Sequence, residues 1–319
     1  MARLSYAQAA CGALHAAMQQ DSRVVALGED VGRGGIFGQY RGLQQAFGAG
    51  RVIDTPISEA TIMGAAVGMA LAGLRPVVEM RVVDFALCAM DEVVNQAAKA
   101  RYMFGGQGRV PLVARMPIGL WQGSAAQHSQ SLEAWFAHVP GLVVVAPATP
   151  QDSHGLLAAA IASGDPVIYM EHKELWGLED EVDVARIERL GTASVRRPGS
   201  DLTLVTWSRA LHDVLGAAAA AQVEGLSIEV IDLRTIWPWD RDTVLASAHR
   251  TGRLLVVHEA VQAAGFGAEI AAAAAEALGI PVRRLGAPRI PVGYSPPLEN
   301  VSRLSAEAIL ETARAFVAA

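Results

Sequence analysis

The stretch Arg51-Val-Ile-Asp-Thr-Pro-Ile-Ser-Glu-Ala-Thr-Ile-Met-Gly-Ala-Ala-Val-Gly-Met-Ala-Leu-Ala-Gly-Leu-Arg-Pro-Val-Val-Glu-Met80 reads as one strand–helix–strand unit. A short strand leads to Pro56. Ser58 and Glu59 open a helix over 59–72, and Pro76–Met80 returns as an apolar strand. Parallel strands joined by a crossover helix need a connection of this length. The alternation continues on both sides. Val24–Leu27, Val110–Ala114, Leu142–Ala146 and Val167–Glu171 suit strands buried on both faces. Tyr6–Gln20, Asp91–Met103 and Gln151–Ala162 suit helices, the first with a capping box from Ser5 and Gln8. The expected fold class is α/β with a parallel sheet over residues 1–174. Residues 175–200 are richer in charge, show no clear period, and read as a linker. A second, smaller α/β domain is expected over 201–319. Its strands are Leu202–Thr206, Ser227–Leu233, Arg253–Val257 and Val282–Leu285, and its final helix is Ser305–Val317.

Composition narrows the function. Of 319 residues 52% are apolar and 18% charged, enough to bury a sizeable core. Lys plus Arg is 26 against 32 Asp plus Glu, a dispersed net charge of −6 that argues against nucleic acid and anionic membranes. The longest charge-free helical stretch, Ala60–Leu74, is too short to cross a hydrocarbon layer of roughly 30 Å. Met1–Tyr6 has no long apolar run, so no secretory leader is expected. Two cysteines, Cys11 and Cys88, make neither a disulfide scaffold nor a four-thiolate site, and a reducing cytoplasmic setting is expected. The P-loop, HExxH and GxSxG patterns are all missing; His258-Glu-Ala-Val-Gln262 fails the zinc motif, and Gly265-Phe-Gly267 fails the dinucleotide one.

Two segments carry candidate chemistry. Glu59 stands at the mouth of an almost wholly apolar helix that is expected to be buried. A carboxylate there sits at the strand-to-helix edge where α/β crevices form, with a raised pKa expected. The plainer alternative is a helix cap, with Ser58 as N-cap and Glu59 offsetting the helix dipole. His128, within Ala125-Ala-Gln-His-Ser-Gln-Ser131, follows a glycine-containing loop and is placed to donate a proton or face an oxyanion; a loop histidine near a helix cap is the alternative.

The chain resembles the β subunit of the thiamine-diphosphate-dependent decarboxylating component of 2-oxo acid dehydrogenase complexes, the family of pyruvate, branched-chain 2-oxo acid and acetoin dehydrogenases. The runs that carry the resemblance are Gly28-Glu-Asp-Val31, Asp54-Thr-Pro-Ile-Ser-Glu59, Gly64 to Pro76, Asn95-Gln-Ala-Ala-Lys99, Tyr102-Met-Phe-Gly-Gly106, Ala126-Gln-His-Ser-Gln130, Val257-His-Glu259 and Pro291 to Pro296. It implies a transketolase-like pyrimidine-binding domain followed by a transketolase C-terminal domain. It further implies that Glu59 hydrogen-bonds the cofactor's aminopyrimidine ring and exchanges a proton there. Phe85 would stack on that ring, with Ile57 and Glu29 near its pocket. His128 would act near the substrate and in acyl transfer to lipoamide. A structural K+ held by Leu112, Ala160, Ile161 and Asp165 is also implied, although Ser163 stands where a carboxylate is common.

The Gly-Asp-Gly segment that holds Mg²⁺ and the diphosphate in thiamine enzymes does not occur; Gly164-Asp-Pro166 breaks the pattern. A pyrophosphate needs a dication with oxygen ligands. The resemblance therefore implies an α subunit that carries Mg²⁺, an α2β2 assembly, and docking on a dihydrolipoyl acyltransferase core. Arg81 and the bulky Leu120-Trp-Gln122 depart from the family pattern and bear on substrate choice. Three readings are weighed. The first is a catalytic β subunit acting on a 2-oxo acid or on acetoin. The second is a non-catalytic scaffold paralogue, opposed by intact Glu59, Phe85 and His128. The third is a free-standing transketolase-type enzyme, opposed by the missing diphosphate motif.

Overall fold

A computed structural model describes residues 1–318, which divide into two compact units. The first comprises 1–118 and 135–190, the second 119–134 and the described residues from 191 onward.

The first unit contains strands β1 (Ala2–Ser5), β2 (Val24–Gly28), β3 (Val52–Asp54), β4 (Arg75–Glu79), β5 (Val113–Ile118), β6 (Val143–Val145), β7 (Val167–His172) and β8 (Glu179–Val182). Those from β2 to β7 pair in parallel in the order β6-β7-β5-β4-β2-β3. The helix Tyr6–Gln20 carries the expected capping box and packs its buried Ala10, Ala13, Leu14 and Met18 against Leu156, Leu157 and Ile161 of the helix Pro150–Ala162. Small residues on the first helix let the pair sit close over the sheet.

The second unit contains β9 (Ser194–Arg197), β10 (Leu202–Thr206), β11 (Ile228–Asp232), β12 (Thr235–Trp237), β13 (Leu254–Val261) and β14 (Val282–Ala287). One sheet runs β14-β13-β10-β11-β9, parallel except for the antiparallel edge strand β9. The last helix spans Ala306–Val317, with Ser305 accepting from the Ala308 N–H.

Four expectations are corrected. The strand placed at Val110–Ala114 begins at Val113, because Pro111 has no N–H and the Leu112 N–H turns back onto the Val110 carbonyl. The helix placed at Asp91–Met103 is π-helical over Glu92–Ala97 and α-helical only from Ala98. The segment 175–200 is not without structure. β8 pairs antiparallel with β1, and β9 with β11, using partners far away in the chain that leave no local period. Finally, the helix Glu59–Leu71 is buried on one side only. Ile62, Met63, Ala66, Val67 and Ala70 face the core, while Ala60, Thr61, Gly64, Ala65, Gly68 and Leu71 face outward. Among the described residues no helix is long and apolar enough to cross a membrane.

Candidate functional site

In the first unit the candidate residues gather at the C-terminal ends of β2, β3 and β4, where α/β sheets place ligand crevices. Gly28 ends β2 opposite Asp54 and Glu79. It has φ +146°, and a Cβ there would lie 2.6 Å from the Glu79 carbonyl oxygen, so only glycine lets the chain leave the sheet at this point. The next two residues are Glu29 and Asp30. Asp30 (φ +57°) accepts a hydrogen bond of 2.9 Å from Arg81 (φ +50°), so two left-handed residues leaving neighbouring strands are tied by an ion pair. Asp54 accepts from the Gly32 N–H at 2.7 Å and fixes the loop that follows β2.

Glu59 is half-buried at the first position of its helix rather than enclosed, since the outward face of that helix is open. Ser58 does not cap a backbone N–H; its hydroxyl donates to Thr61 Oγ1 at 2.7 Å. Glu29 lies close enough to feel Glu59. Burial raises the Glu29 carboxyl above the usual carboxylate range, Arg81 opposes the rise, and the charges of Glu59 and Asp30 add to it. Ile57 is 77% exposed, and Phe85 is half-buried in the 3₁₀ stretch Val83–Ala89. Glu29 and Glu59 are thus brought together in one unit.

Beneath this edge lies a buried polar cluster that sequence reasoning missed. Glu79 sits opposite Arg115 in the β4–β5 register and accepts from Tyr40 Oη at 2.8 Å. Arg115 donates twice to Glu171, at 2.7 and 2.8 Å, and its guanidinium lies over the Tyr40 ring, 4.8 Å from the centroid. The Arg115 and Glu171 side chains are fully enclosed. Burial pushes Glu79 up to about 7; Arg115 pulls it back, Glu171 adds to the rise, and the Tyr40 bond lowers it. The signal was an acid or base set among apolar residues in three strands: Glu79 in β4, Arg115 in β5 and Glu171 in β7.

His128 is exposed on a loop of the second unit. That loop has left-handed backbone at Gln122 (φ +44°) and Ala125 (φ +58°) and is pinned at two points. Glu259 accepts from the Leu120 N–H and Glu299 from the Gly123 N–H, each at 3.0 Å. Trp207 Nε1 donates to the buried Glu133 at 3.0 Å, just past the loop. The Trp207 ring stacks on His258, centroids 5.1 Å apart. His258 donates from Nδ1 to the Ala260 carbonyl at 3.0 Å, and burial pushes its pKa down to about 4. Gly265 and Gly267 make room for the ring, since a Cβ on either would come within 2.7 Å of it. The Val257-His-Glu259 run therefore has a structural meaning: His258 packs the core and Glu259 holds the His128 loop. A cavity of about 510 Å³ beside this loop is lined by Ser129, Ser131, Glu259, Arg289 and Ser302 among apolar neighbours.

Each residue expected to hold K+ already accepts a hydrogen bond or ion pair from within the chain. The Leu112 carbonyl accepts from the Val167 N–H and that of Ala160 from the Ser163 N–H. The Ile161 carbonyl accepts from Arg75, and the Asp165 carboxylate is paired with Arg101 at 2.5 Å. Among the described residues no group of three or more His, Cys, Asp or Glu side chains is arranged to hold a metal ion.

Residues 2–177 match the transketolase pyrimidine-binding domain model, and residues 191–309 the transketolase C-terminal domain model. The chain is 43% identical, over 98% of its length and 97% of the relative's, to the acetoin:2,6-dichlorophenolindophenol oxidoreductase subunit β of Cupriavidus necator. It is 40% identical to the 2-oxoisovalerate dehydrogenase subunit β of Bacillus subtilis, with 94% of each chain covered. The pyruvate dehydrogenase E1 component subunit β of the same organism is also 40% identical, with 98% of each covered. The chain belongs to this family of β subunits. A solved split-gene transketolase, an inactive β4 tetramer, shares the family fold at TM-score 0.81 and 20% identity, covering 99% of this chain and 98% of its own. The family runs around Gly28, Glu59 and Glu259 coincide with the backbone turn, the helix mouth and the loop anchor found in the geometry.

Proposed function

We propose that this chain is the β subunit of a thiamine-diphosphate-dependent component that decarboxylates a 2-oxo acid and passes the acyl group to lipoamide, and that it works only as an αβ assembly in the cytoplasm. The observation that carries the reading is the pairing of Glu59 with Glu29 at the open end of the parallel sheet. Burial, with the charges of Glu59 and Asp30 adding to it, holds the Glu29 carboxyl above the usual carboxylate range, so this half-buried edge favours a proton beside the helix mouth. That suits a ring nitrogen which must be protonated and deprotonated in each cycle. Thiamine diphosphate, when bound, supplies a thiazolium carbon that adds to the substrate carbonyl and takes up the electrons released with CO₂. Glu59 holds the proton at the pyrimidine nitrogen, and Phe85 and Ile57 supply apolar contact to its ring. His128, on its anchored loop, faces the acyl acceptor.

Exposed apolar residues support an α partner. Ile57, Leu71, Tyr102, Met103 and Phe104 all lie at the surface, Tyr102 with 86% of its area open. Exposed apolar residues of this size, with Leu71 on the outward face of its helix, are the composition of an interface. No Gly-Asp-Gly occurs in the 319 residues, which fits a diphosphate and Mg²⁺ held by the α subunit. The acyltransferase core completes the complex. The 43% identity to an acetoin-oxidising β subunit favours acetoin cleavage as a second reading of the same chemistry.

The test is Glu59→Gln in the reconstituted αβ complex, assayed with pyruvate, 2-oxoisovalerate and acetoin. We expect turnover to fall by at least the ~100-fold typical of losing an acid–base group, with assembly by gel filtration unchanged. Near-normal turnover would remove Glu59 from the chemistry. A wild-type complex inert toward all three substrates would favour a scaffold paralogue.

A further inference from the structure

We propose that the guanidinium of Arg75 is the resident cation at the C-terminal turn of the helix Pro150–Ala162, in the place where the family resemblance implies K+. This does not rest on the thiamine reading, because the turn uses none of the residues assigned to the coenzyme.

The physical demand is plain. A helix ends here, leaving carbonyls without intrahelical partners and the negative end of the helix dipole. The Asp165 carboxylate stands just beyond it. A turn of this composition calls for a cation, whether a dehydrated metal ion or an organic one. Arg75, the first residue of β4, meets the demand from within the chain. Its Nε and Nη2 donate to the Ile161 carbonyl at 3.0 and 2.7 Å, and Nη2 also donates to the Ser163 carbonyl at 2.6 Å. Two donors on the Ile161 oxygen use both of its lone pairs.

The rest of the ligand set is spoken for as well. The Leu112 carbonyl lies in the β-ladder contact with Val167, and the Ala160 carbonyl receives the Ser163 N–H. The Ser163 hydroxyl donates to the Asp165 carbonyl at 3.2 Å, and Arg101 takes the Asp165 carboxylate. Arg109 approaches from another side, with Nη1 3.4 Å from where a Cβ on Gly164 would lie. A bare K+ entering this turn would meet three guanidinium groups and an Ile161 carbonyl whose two lone pairs are already taken.

The test uses the full chain, alone and in its αβ complex, in buffers matched for ionic strength with potassium chloride or tetramethylammonium chloride. Thermal unfolding midpoints are read for wild type and for Arg75→Ala. We expect the wild-type midpoint to be the same in both salts. We expect Arg75→Ala, with its carbonyls released, to unfold at lower temperature in tetramethylammonium and to be raised by K+ in a saturable way. A saturable K+-specific rise in the wild type would overturn the proposal, since a bound ion well above its dissociation constant lifts the midpoint by several degrees. An Arg75→Ala chain indifferent to K+ would refute the exchange of one cation for the other. Should Arg75→Ala fail to fold, the wild-type comparison still decides. The readout is stability, so a failed activity assay leaves it untouched.

Discussion

Replacing Arg115 by Met tests the buried cluster beneath the candidate site. Met conserves much of the side chain's volume and removes the charge. The substitution deletes two hydrogen bonds to Glu171 of 2.7 and 2.8 Å and the contact of the guanidinium with the Tyr40 ring. More costly is what remains. Glu171 is left fully buried without its countercharge, and Glu79 loses the positive group that pulls its pKa down. Removing one partner of a buried pair costs about 3–5 kcal/mol, and the lost cation–π contact adds about 1 kcal/mol. The double variant Arg115→Met/Glu171→Leu removes both charges and leaves only packing differences, so it should recover most of that loss. Urea unfolding of the chain, followed by intrinsic fluorescence, measures both. A single variant destabilised by less than about 1 kcal/mol, or a double variant no more stable than the single, would show that the pair does not bear on the fold in this way.

Two further outcomes follow from the same geometry. Glu79 has a folded-state pKa of about 7 against an ordinary value of 4.5, so the folded chain binds the extra proton and stability falls as pH rises through that window; Glu79→Gln should flatten the slope, by up to about 3 kcal/mol between its ends. A wild-type chain whose unfolding midpoint does not move between pH 5 and pH 7 as this linkage requires would count against it. Glu259→Ala removes the acceptor of the Leu120 N–H and frees one end of the His128 loop; limited proteolysis should then cut within residues 120–130 faster than in wild type, and an unchanged cleavage pattern would mean that the Glu299 anchor suffices alone.

The candidate residues were legible where local chemistry marks them. Glu59 at a helix mouth, His128 in a glycine-containing loop and the Gly28-Glu-Asp run all stand out in the chain itself. The buried cluster of Glu79, Arg115 and Glu171 was not legible, because each member stands among apolar residues of its own strand. Only the parallel register sets Glu79 against Arg115, and only folding brings Glu171 to the same guanidinium. The anchoring role of Glu259 was hidden for the same reason, since its partner Leu120 is 139 residues away.

By itself the sequence determined the alternation of strands and helices, the cap at Ser5, the α/β class and the family, because periodicity and capping are properties of neighbouring residues. The tertiary structure decided that the 119–134 excursion belongs with the second unit, that the helix opened by Glu59 shows one apolar face to the outside, and that Arg75 fills the turn expected to hold a metal ion. Each of these depends on contacts between residues far apart in the chain. Such contacts follow from where folded elements meet, and no local pattern encodes them.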